Sequence, residues 1–400
     1  MENGAIIKLG KLFHTNYGGN DIDFVDQINY QYSSGLLLIF ISIIGLRQFV
    51  GSPIQCWVPQ EFTKSWEQYA ENLCWVKNTY RIPENEKIPE DDLDLKSVTF
   101  ISYYQWVAIV MGGQALICWI PHICWRVWSR RVPILLHTAR EATVPDRETR
   151  QKAVQCLISA LEENAQSHLR YRRKTGFFSK FPLFTLNPSW RVTFVFIMVR
   201  MMFLGNNIGQ LYLMKHFIRT NETLFGIWVF KDLIENHQWK ESGNFPRITF
   251  CTIDIRKFGQ NKPASHTFQC VLPINHFVEK IYVFLWIWFF CLAILTTVNT
   301  AQWIIIVCLP WQQVRFIRQY LKALKLTSNA DDRECAKFVK DILGIDGIFL
   351  LQAVSNVSSD LIALDVTASM WWNYRQARLV GVEDDISRFL DHARSTSNIV

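Results

Sequence analysis

The chain has 400 residues and a net charge of +7 at pH 7, with only 19% charged residues against 50% apolar ones. Soluble domains usually carry about 25% charged residues, so this composition excludes a disordered chain and argues against an ordinary soluble protein. With 18 Gly and 10 Cys, a collagen and a small disulfide scaffold are also excluded. Because the mean hydropathy is only +0.06, the distribution of the apolar residues must decide the class.

The N-terminal segment carries an amphipathic pattern. Ile6, Leu9 and Phe13 follow i, i+3, i+7 spacing, which places them on one face of a helix, while Lys8 and Lys11 fall on the opposite face. The first 28 residues lack an apolar core long enough for a secretory signal peptide. We therefore expect this segment to remain on the cytoplasmic side, with the first span acting as an uncleaved signal.

Four apolar stretches are candidates for crossing a bilayer, which requires about 20 mostly apolar residues in a helix. The second and fourth stretches are uncharged over 103–125 and 281–311, whereas the third carries Arg200 and Lys215. The pattern predicts an all-α-dominated membrane protein with four transmembrane helices. The predicted spans are 29–50, 103–126, 191–217 and 279–309.

The charges between the spans predict their orientation, because Lys and Arg accumulate on the cytoplasmic side. The loop between the second and third spans has eleven basic residues against five acids, and the loop after the first span has five against nine. The loop after the third span is less decisive, with seven against five over 218–276. We therefore predict a cytoplasmic N-terminus at 1–28, extracellular loops at 51–102 and 218–278, a cytoplasmic loop at 127–190 and a cytoplasmic helical region at 310–400.

Several residues within the spans are chemically unusual. Arg200 lies near the cytoplasmic end of the third span, so snorkelling or pairing within the bundle is the favoured interpretation. Pro121 removes a backbone hydrogen bond and predicts a kink, with a gating hinge as the alternative. Trp303 and Trp311, near the cytoplasmic end of the fourth span, fit either an aromatic belt at the membrane interface or ordinary core aromatics.

The cysteines divide by compartment. Cys56 and Cys74 fall in the first predicted outer loop, and Cys251 and Cys270 fall in the second. Four cysteines allow three connectivities. Bridges between the loops would make the outer face one rigid block, and bridges within each loop are the alternative. The spacing fits no zinc site, and we expect no metal.

The remaining segments are predicted to be helical or to carry modification signals. Arg147–Ser167 and Ala330–Leu343 have helical character, and Gly344–Gly347 reads as a turn. Arg170–Lys174 is a basic cluster that either attracts anionic lipid or forms a solvated loop. Asn221 begins an N-x-[ST] sequon in the second outer loop and is a candidate glycosylation site.

The motif inventory argues against an enzyme. The sequence contains no phosphate-binding G-x-x-x-x-G-K-[ST], no dinucleotide G-x-G-x-x-G, no H-E-x-x-H and no G-x-S-x-G. No zinc-finger, homeodomain or RRM pattern indicates a nucleic-acid partner. We expect no catalytic residues, no cofactor and no nucleic acid, but membrane lipids as surroundings.

A resemblance to a known family comes from a motif at the start of the second span and from the outer loops. The run Tyr103, Tyr104, Gln105, Trp106 and Val107 resembles the YYQWV signature of the innexins, the gap-junction proteins of invertebrates, and Pro121 follows in the same span. Cys56–Pro59, Phe245–Arg247, Gln269–Leu272 and Glu279–Ile281 are also similar to innexin segments. Two cysteines per outer loop is the innexin and pannexin count. Ala108 departs from the family, in which many members have Pro.

The resemblance implies a fold and a function. It implies a channel subunit that forms a ring of eight subunits around a wide pore and docks with a ring in the adjacent cell at a gap junction. It implies bridges Cys56–Cys270 and Cys74–Cys251, with minor β content in the disulfide-linked loops. It also suggests that the N-terminal segment folds into the pore mouth, with pore-lining candidates Met1, Glu2, Asn3, Lys8 and Lys11.

Alternatives remain open for both the segment and the whole chain. The N-terminal segment could instead lie on the membrane surface as an amphipathic helix. The chain could form an undocked, pannexin-like channel in a single membrane, or a four-span junctional scaffold that does not conduct. The sequence leaves homomeric or heteromeric assembly open.

Overall fold

The computed structural model describes residues 22–82, 100–144, 146–175, 190–218, 245–255, 264–324 and 332–379. The chain divides into two compact units, each built from separate stretches of sequence. The helical unit comprises Met1–Tyr30, Ile120–Leu204 and Ile294–Val400, and the disulfide unit comprises Gln31–Trp119 and Gly205–Ala293. Because both units include parts of the long apolar helices, neither corresponds to a continuous segment of chain.

Four helices in the described residues are long and apolar enough to cross a membrane, which confirms the predicted fold class. They are α1 (Phe24–Phe49), α3 (Tyr103–Trp128), α6 (Arg191–Ile218) and α7 (Pro273–Cys308). Helix α3 continues through the buried Pro121. A helix can extend beyond the bilayer at either end, so the boundaries of the predicted spans stay predictions.

Helix α1 contains a π-helical segment, Ile28–Tyr32, close to its start. The Asn29 carboxamide donates to the carbonyl of Val25 at 2.8 Å and to the hydroxyl of Thr296 at 3.0 Å. Widened turns of this kind are frequent at functional positions in helices. Here the widened turn places a fully buried amide against the fourth membrane helix.

The disulfide unit contains a five-stranded antiparallel sheet and a helix. The elements are β1 (Gln55–Trp57), α2 (Lys64–Lys77), β2 (Thr79–Tyr80), β3 (Phe100–Ile101), β4 (Ile248–Ile255) and β5 (Ala264–Val271). The strand order is β1-β5-β4-β2-β3, so the sheet combines two loops that lie far apart in sequence. Along β4, every second residue, namely Thr249, Cys251 and Ile253, is buried, as the two-residue period of a strand requires.

The helical unit packs the remaining helices around a mainly aromatic and aliphatic core. Phe338, Phe349 and Trp371 are almost fully buried in it. The apolar run 348–354 lies in its centre and is buried at nearly every position. The elements are α4 (Arg131–Glu141), α5 (Arg147–Thr175), α8 (Pro310–Ala323), α9 (Asp332–Phe338) with a π-helical continuation (Val339–Leu343), α10 (Gly344–Val357) and α11 (Asp360–Leu379).

The predicted turn at Gly344–Gly347 is wrong, because α10 begins at Gly344. Gly344 has a φ of 61°, in the region that favours glycine, where the π-helical segment meets α10. Gly347 is small for a different reason, since a Cβ there would lie 3.3 Å from the Cβ of Leu343. Glycine is therefore favoured at Gly344 by the backbone conformation and at Gly347 by close packing against Leu343.

Asp346, in the first turn of α10, caps a different helix. Its carboxylate accepts the backbone N–H groups of Val192 at 3.1 Å and Thr193 at 2.9 Å, and the Thr193 hydroxyl at 2.7 Å. The first N–H groups of a helix have no partner within it, and a negative charge there is favoured by the helix dipole. The start of the third membrane helix is therefore held by a fully buried acid of α10.

Removing this cap should destabilise the fold. We expect Asp346→Ala to lower the stability by about 2–3 kcal/mol, because it leaves buried N–H donors without an acceptor. The control is Asp365→Ala, which removes an exposed carboxylate paired with Arg150 at 2.7 Å and should cost less than about 1 kcal/mol. Thermal unfolding followed by tryptophan fluorescence measures both, and equal midpoints would contradict the capping role.

Candidate functional site

Two disulfides join the two loops of the disulfide unit. Cys56 bonds to Cys270 and Cys74 bonds to Cys251, across sequence separations of 214 and 177 residues. Cys56 on β1 lies opposite Cys270 on β5 in the sheet register, while Cys74 projects from α2 towards Cys251 on β4. All four are buried. The structure therefore has the connectivity that links one loop to the other.

The two bridges lie side by side. The sulfur atoms of Cys56, Cys74 and Cys270 all lie within 4.8 Å of one another. Sulfurs bonded in disulfides offer no thiolate to a metal ion, so this grouping acts as a covalent clamp. The other six cysteines, all in the described part of the chain, form no disulfide.

Aromatic and polar contacts reinforce the clamp between the loops. The ring of Phe62 lies 5.3 Å from Trp66 in its own loop and 6.0 Å from Phe268 on β5. The Tyr80 and Thr252 hydroxyl oxygens, on β2 and β4, are hydrogen-bonded at 2.7 Å. The loops are therefore joined by packing and hydrogen bonds as well as covalently.

An ion pair lies at the edge of this unit. Lys77, the last residue of α2, donates to the carbonyl of Thr252 at 3.1 Å and lies 3.4 Å from the carboxylate of Asp254. The Ser265 hydroxyl, which donates to Asp254, and then Lys77 hold the pKa of Asp254 below its usual range. Elsewhere in the unit, burial raises the pKa of Glu71, which accepts the backbone N–H of Cys56 at 3.4 Å.

The loop surface also exposes large aromatic side chains. Trp57 is 76% exposed and follows Cys56 directly, so the clamp fixes its position. Trp66 and Tyr69 on α2 are exposed as well. Exposed aromatic residues on a rigid scaffold are typical of surfaces that bind another protein.

Tyr104 and Gln105, at the start of α3, connect this helix to the loop that precedes it. Tyr104 is fully buried, with its ring 4.7 Å from that of Trp75. The Gln105 carboxamide donates to the carbonyl of Trp75 and, at 3.2 Å, to the side-chain oxygen of Asn78. Asn78 has a φ of 78°, a conformation uncommon for a residue with a side chain. The motif therefore fastens the strained end of α2 to the beginning of α3.

In the helical unit, Arg200 is the centre of a buried charge cluster. Its side chain is only 1% exposed and pairs with the carboxylates of Asp23 and Asp26, the latter at 3.1 Å. It also donates to Asn299 at 2.7 Å and lies over the ring of Phe196. Pairing within the chain, one of the two interpretations favoured from the sequence, is the arrangement that the structure contains.

Asp23 extends this cluster to the other helices. Its carboxylate also accepts the indole N–H of Trp303 on α7 and, at 3.4 Å, the amide of Asn356 on α10. Asp23 immediately precedes α1 and is therefore bonded to residues of α6, α7 and α10. These residues, Asp23, Asp26, Arg200, Asn299, Trp303 and Asn356, form what we call the Arg200 cluster.

The surroundings of the cluster are mostly apolar. A cavity of about 10 Å³ adjoins Asp26 and Arg200, with space for roughly one water molecule. Trp303 is buried, with its ring 4.9 Å from Phe196 and 5.6 Å from Phe349. Trp303 is therefore a core aromatic, one of the two interpretations open from the sequence, because its indole N–H donates to the mostly buried carboxylate of Asp23.

Comparison with known proteins identifies the family. The profile of the Innexin family matches residues 22–374, which include all four long helices, both disulfides and the Arg200 cluster. The chain belongs to the innexin family. The family resemblance expected from the YYQWV run and the cysteine pattern is confirmed.

Three curated innexins of Caenorhabditis elegans illustrate the similarity. Innexin unc-9 is 35% identical over 363 residues, covering 88% of this chain and 92% of the relative. Innexin-11 is 32% identical over 378 residues, covering 88% and 79%. Innexin eat-5 is 29% identical over 387 residues, covering 92% and 90%. The similarity is therefore spread over most of each chain and is not confined to one motif.

The predicted site residues of this innexin fall into two groups. The four cysteines, Tyr104, Gln105 and Pro121 lie in the described residues, at the positions given above. In the same run, Val107 is fully buried and Trp106 is exposed, while the ring of Tyr103 lies 6.0 Å from that of Phe245. The other predicted residues lie outside the described residues, and they are Met1, Glu2, Asn3, Lys8, Lys11 and Asn221.

Sequence reasoning missed most of the Arg200 cluster. A usable signal was present, since a charge within a span requires an opposite charge nearby, and Asp23 and Asp26 just precede the first span. No comparable signal marked Asn299, Trp303 or Asn356, because isolated Asn and Trp residues are common in such positions. Their roles depend on the packing of three separate helices.

Removing the central charge should be costly. We expect Arg200→Gln to lower stability by about 3–5 kcal/mol, because it leaves buried carboxylates without their counter-charge. The control is Arg131→Gln, since Arg131 pairs with Glu163 at 3.2 Å on an exposed surface and should contribute less than about 1 kcal/mol. Thermal unfolding in detergent compares the two, and an equal loss would show that Arg200 is not a structural centre.

Proposed function

We propose that this innexin is a subunit of a gap-junction channel. Eight subunits, identical or of related innexins, would form a ring around a wide pore, and the ring would dock with another in the adjacent cell. Ions and small molecules would then pass between the cells. The observation that carries this proposal is the family match over 22–374, which includes both the membrane helices and the disulfide-linked loops.

We propose that both termini and the loop between α3 and α6 are cytoplasmic. Support comes from the charge balance, since 127–190 carries eleven basic residues against five acids and basic residues favour the cytoplasmic side. The disulfides support the same orientation, because such bonds persist in an oxidising environment. The disulfide unit would then face the extracellular space, where Asn221 would be accessible to glycosylation.

Docking would use the surface of the disulfide unit. Trp57, Trp66 and Tyr69 provide exposed aromatic groups, and the clamp keeps them in a fixed arrangement. A pre-organised surface binds more tightly because less conformational freedom is lost on association. Reduction of the clamp would therefore weaken docking even where the aromatic residues are unchanged.

The N-terminal segment would form the narrow part of the pore, with Lys8 and Lys11 towards the lumen. Asp23 supports this role indirectly, because the Arg200 cluster holds the chain immediately after the segment. Because the chain is held at Asp23, the N-terminal segment of some twenty residues can extend only a limited distance from the Arg200 cluster. The Arg200 cluster would thus position the pore mouth without contacting the permeant ions.

Electrical recording tests the channel proposal. Paired cells expressing the chain should show junctional current, and Cys56→Ser should abolish it by opening the clamp. Cys156→Ser, which changes an exposed free cysteine, should leave the current unchanged and is the matched control.

Other outcomes identify the alternatives. Current in single cells without junctional current would replace the proposal by an undocked channel. Silence in both recordings, with the protein present at the cell surface and co-expressed innexins adding no current, would indicate a scaffold that does not conduct.

Selectivity tests the N-terminal segment. The Lys8→Gln/Lys11→Gln variant should be more cation-selective, because a ring of positive charges in a pore disfavours cations. In a NaCl gradient, its reversal potential should move towards the sodium equilibrium potential. Lys337→Gln/Lys340→Gln removes the same charge from exposed positions of α9 and its π-helical continuation as a control. An unchanged reversal potential would favour a segment that lies on the membrane surface.

A further inference from the structure

Helix α8, which follows the fourth membrane helix, has two chemically different faces. Gln313, Ile317 and Leu321 are buried, on the side that packs against α9 and α11. Trp311, Arg315, Arg318 and Lys322 follow i, i+4, i+7, i+11 spacing, which places them on one face about 130° from the buried side at 100° per residue. We call these four residues the basic face.

The basic face carries positive charge without compensation from its own helix. Trp311, Arg315 and Lys322 are exposed and Arg318 is half-buried. Helix α8 contains no Asp or Glu. The guanidinium of Arg315 lies 5.5 Å from the centre of the Trp311 ring. The face therefore combines an aromatic group at its beginning with three cations over the next three turns.

An acid packed near α8 is used elsewhere. Asp360 accepts the hydroxyl of Tyr320 at 2.9 Å and that of Ser355. Tyr320 lies about 180° around the helix from Trp311, nine residues at 100° each. This carboxylate is therefore directed at the opposite side of α8.

The position of α8 along the chain places the basic face close to the membrane. Helix α7 ends at Cys308, and α8 begins at Pro310 after the single extended residue Leu309. Trp311 follows within three residues, a reach of about 10 Å. Both Leu309 and Trp311 are exposed, Trp311 at 67%. Tryptophan is enriched at membrane interfaces, where its ring is apolar and its N–H contacts water and headgroups.

We propose that the basic face binds the phosphate groups of anionic phospholipids in the cytoplasmic leaflet. Trp311 would enter the headgroup region, Arg315 would donate paired hydrogen bonds to phosphate, and Lys322 would add a further charge. The proposal rests on the orientation proposed above, since the cytoplasmic leaflet is the anionic one. An interface with another subunit is less consistent with the face, because its exposed cations would need acids on the partner, whereas the adjacent cytoplasmic leaflet supplies negative charge.

Lipid titration of the purified full-length protein tests this proposal. The delipidated protein is titrated with phosphatidylserine or with phosphatidylcholine of the same acyl chains, and bound lipids are counted by native mass spectrometry. The wild type should bind phosphatidylserine more tightly. In Arg315→Gln/Lys322→Gln, the affinity for phosphatidylserine should fall about 10- to 30-fold, as expected for the loss of two surface cations, while phosphatidylcholine binding should not change.

The chain offers a matched control in the same unit. Arg333→Gln/Lys337→Gln also removes one exposed Arg and one exposed Lys, four residues apart on α9, and should bind phosphatidylserine like the wild type. An equal loss in both double variants would assign the effect to net charge and overturn the proposal. An unchanged affinity in Arg315→Gln/Lys322→Gln would also overturn it, and if the ring then separates into smaller oligomers, the face contacts another subunit.

Two further observations test the lipid proposal independently of the double variant and of the channel proposal. If the double variant fails to fold, the wild type alone is titrated at increasing ionic strength, which should weaken phosphatidylserine binding because salt screens exposed charges. Insensitivity to salt would overturn the proposal. Lipid binding is read without any current, so selective phosphatidylserine binding without junctional current would contradict the channel proposal and leave this one standing.

Discussion

The helical unit depends on the neutralisation of one buried charge. A guanidinium inside an apolar helix costs several kcal/mol unless a carboxylate pairs with it. Arg200 therefore requires Asp23 and Asp26, and both lie at the beginning of α1. Because Asp23 also accepts hydrogen bonds from α7 and α10, one electrostatic requirement brings four helices together. The aromatic residues Phe196, Trp303 and Phe349 exclude solvent around it, which strengthens these interactions.

The disulfide unit is stabilised in a different way, because short loops have little apolar core of their own. Its strands come from two loops separated by more than a hundred residues, so neither loop can form the sheet alone. Two adjacent disulfides reduce the freedom of the unfolded chain and keep the strands in register. Tyr104 and Gln105 then connect the unit to α3, so that a membrane helix carries the rigid surface.

The two units fit two different roles within an innexin subunit. A covalently clamped surface suits docking, where a fixed arrangement of exposed aromatic groups is needed. A largely buried, hydrogen-bonded cluster at the start of α1 fits the proposed role of positioning the N-terminal segment. The Asp346 cap has a comparable role at the start of α6, where an acid from α10 receives the first N–H groups of a membrane helix.

The sequence by itself determined the class of this protein. Long uncharged stretches can only be spans or deeply buried helices, and the signature 103–107 with two cysteines per loop indicates an innexin. These features are local, so their meaning does not depend on what they contact. The sequence also held both acids of the Arg200 cluster within a few residues of the first span, although their partner lies more than 170 residues away.

Only the tertiary structure decided which residues meet. Gly344–Gly347 has the composition of a turn, but packing against Leu343 and the capping of α6 favour a helix that begins at Gly344. Trp303 and Trp311 both lie near the end of the fourth predicted span. Trp303 is nevertheless buried against the carboxylate of Asp23, whereas Trp311 is exposed on the basic face. A tryptophan N–H needs a partner wherever it is buried, and no local pattern specifies that partner, because it comes from the packing of helices that are distant in sequence.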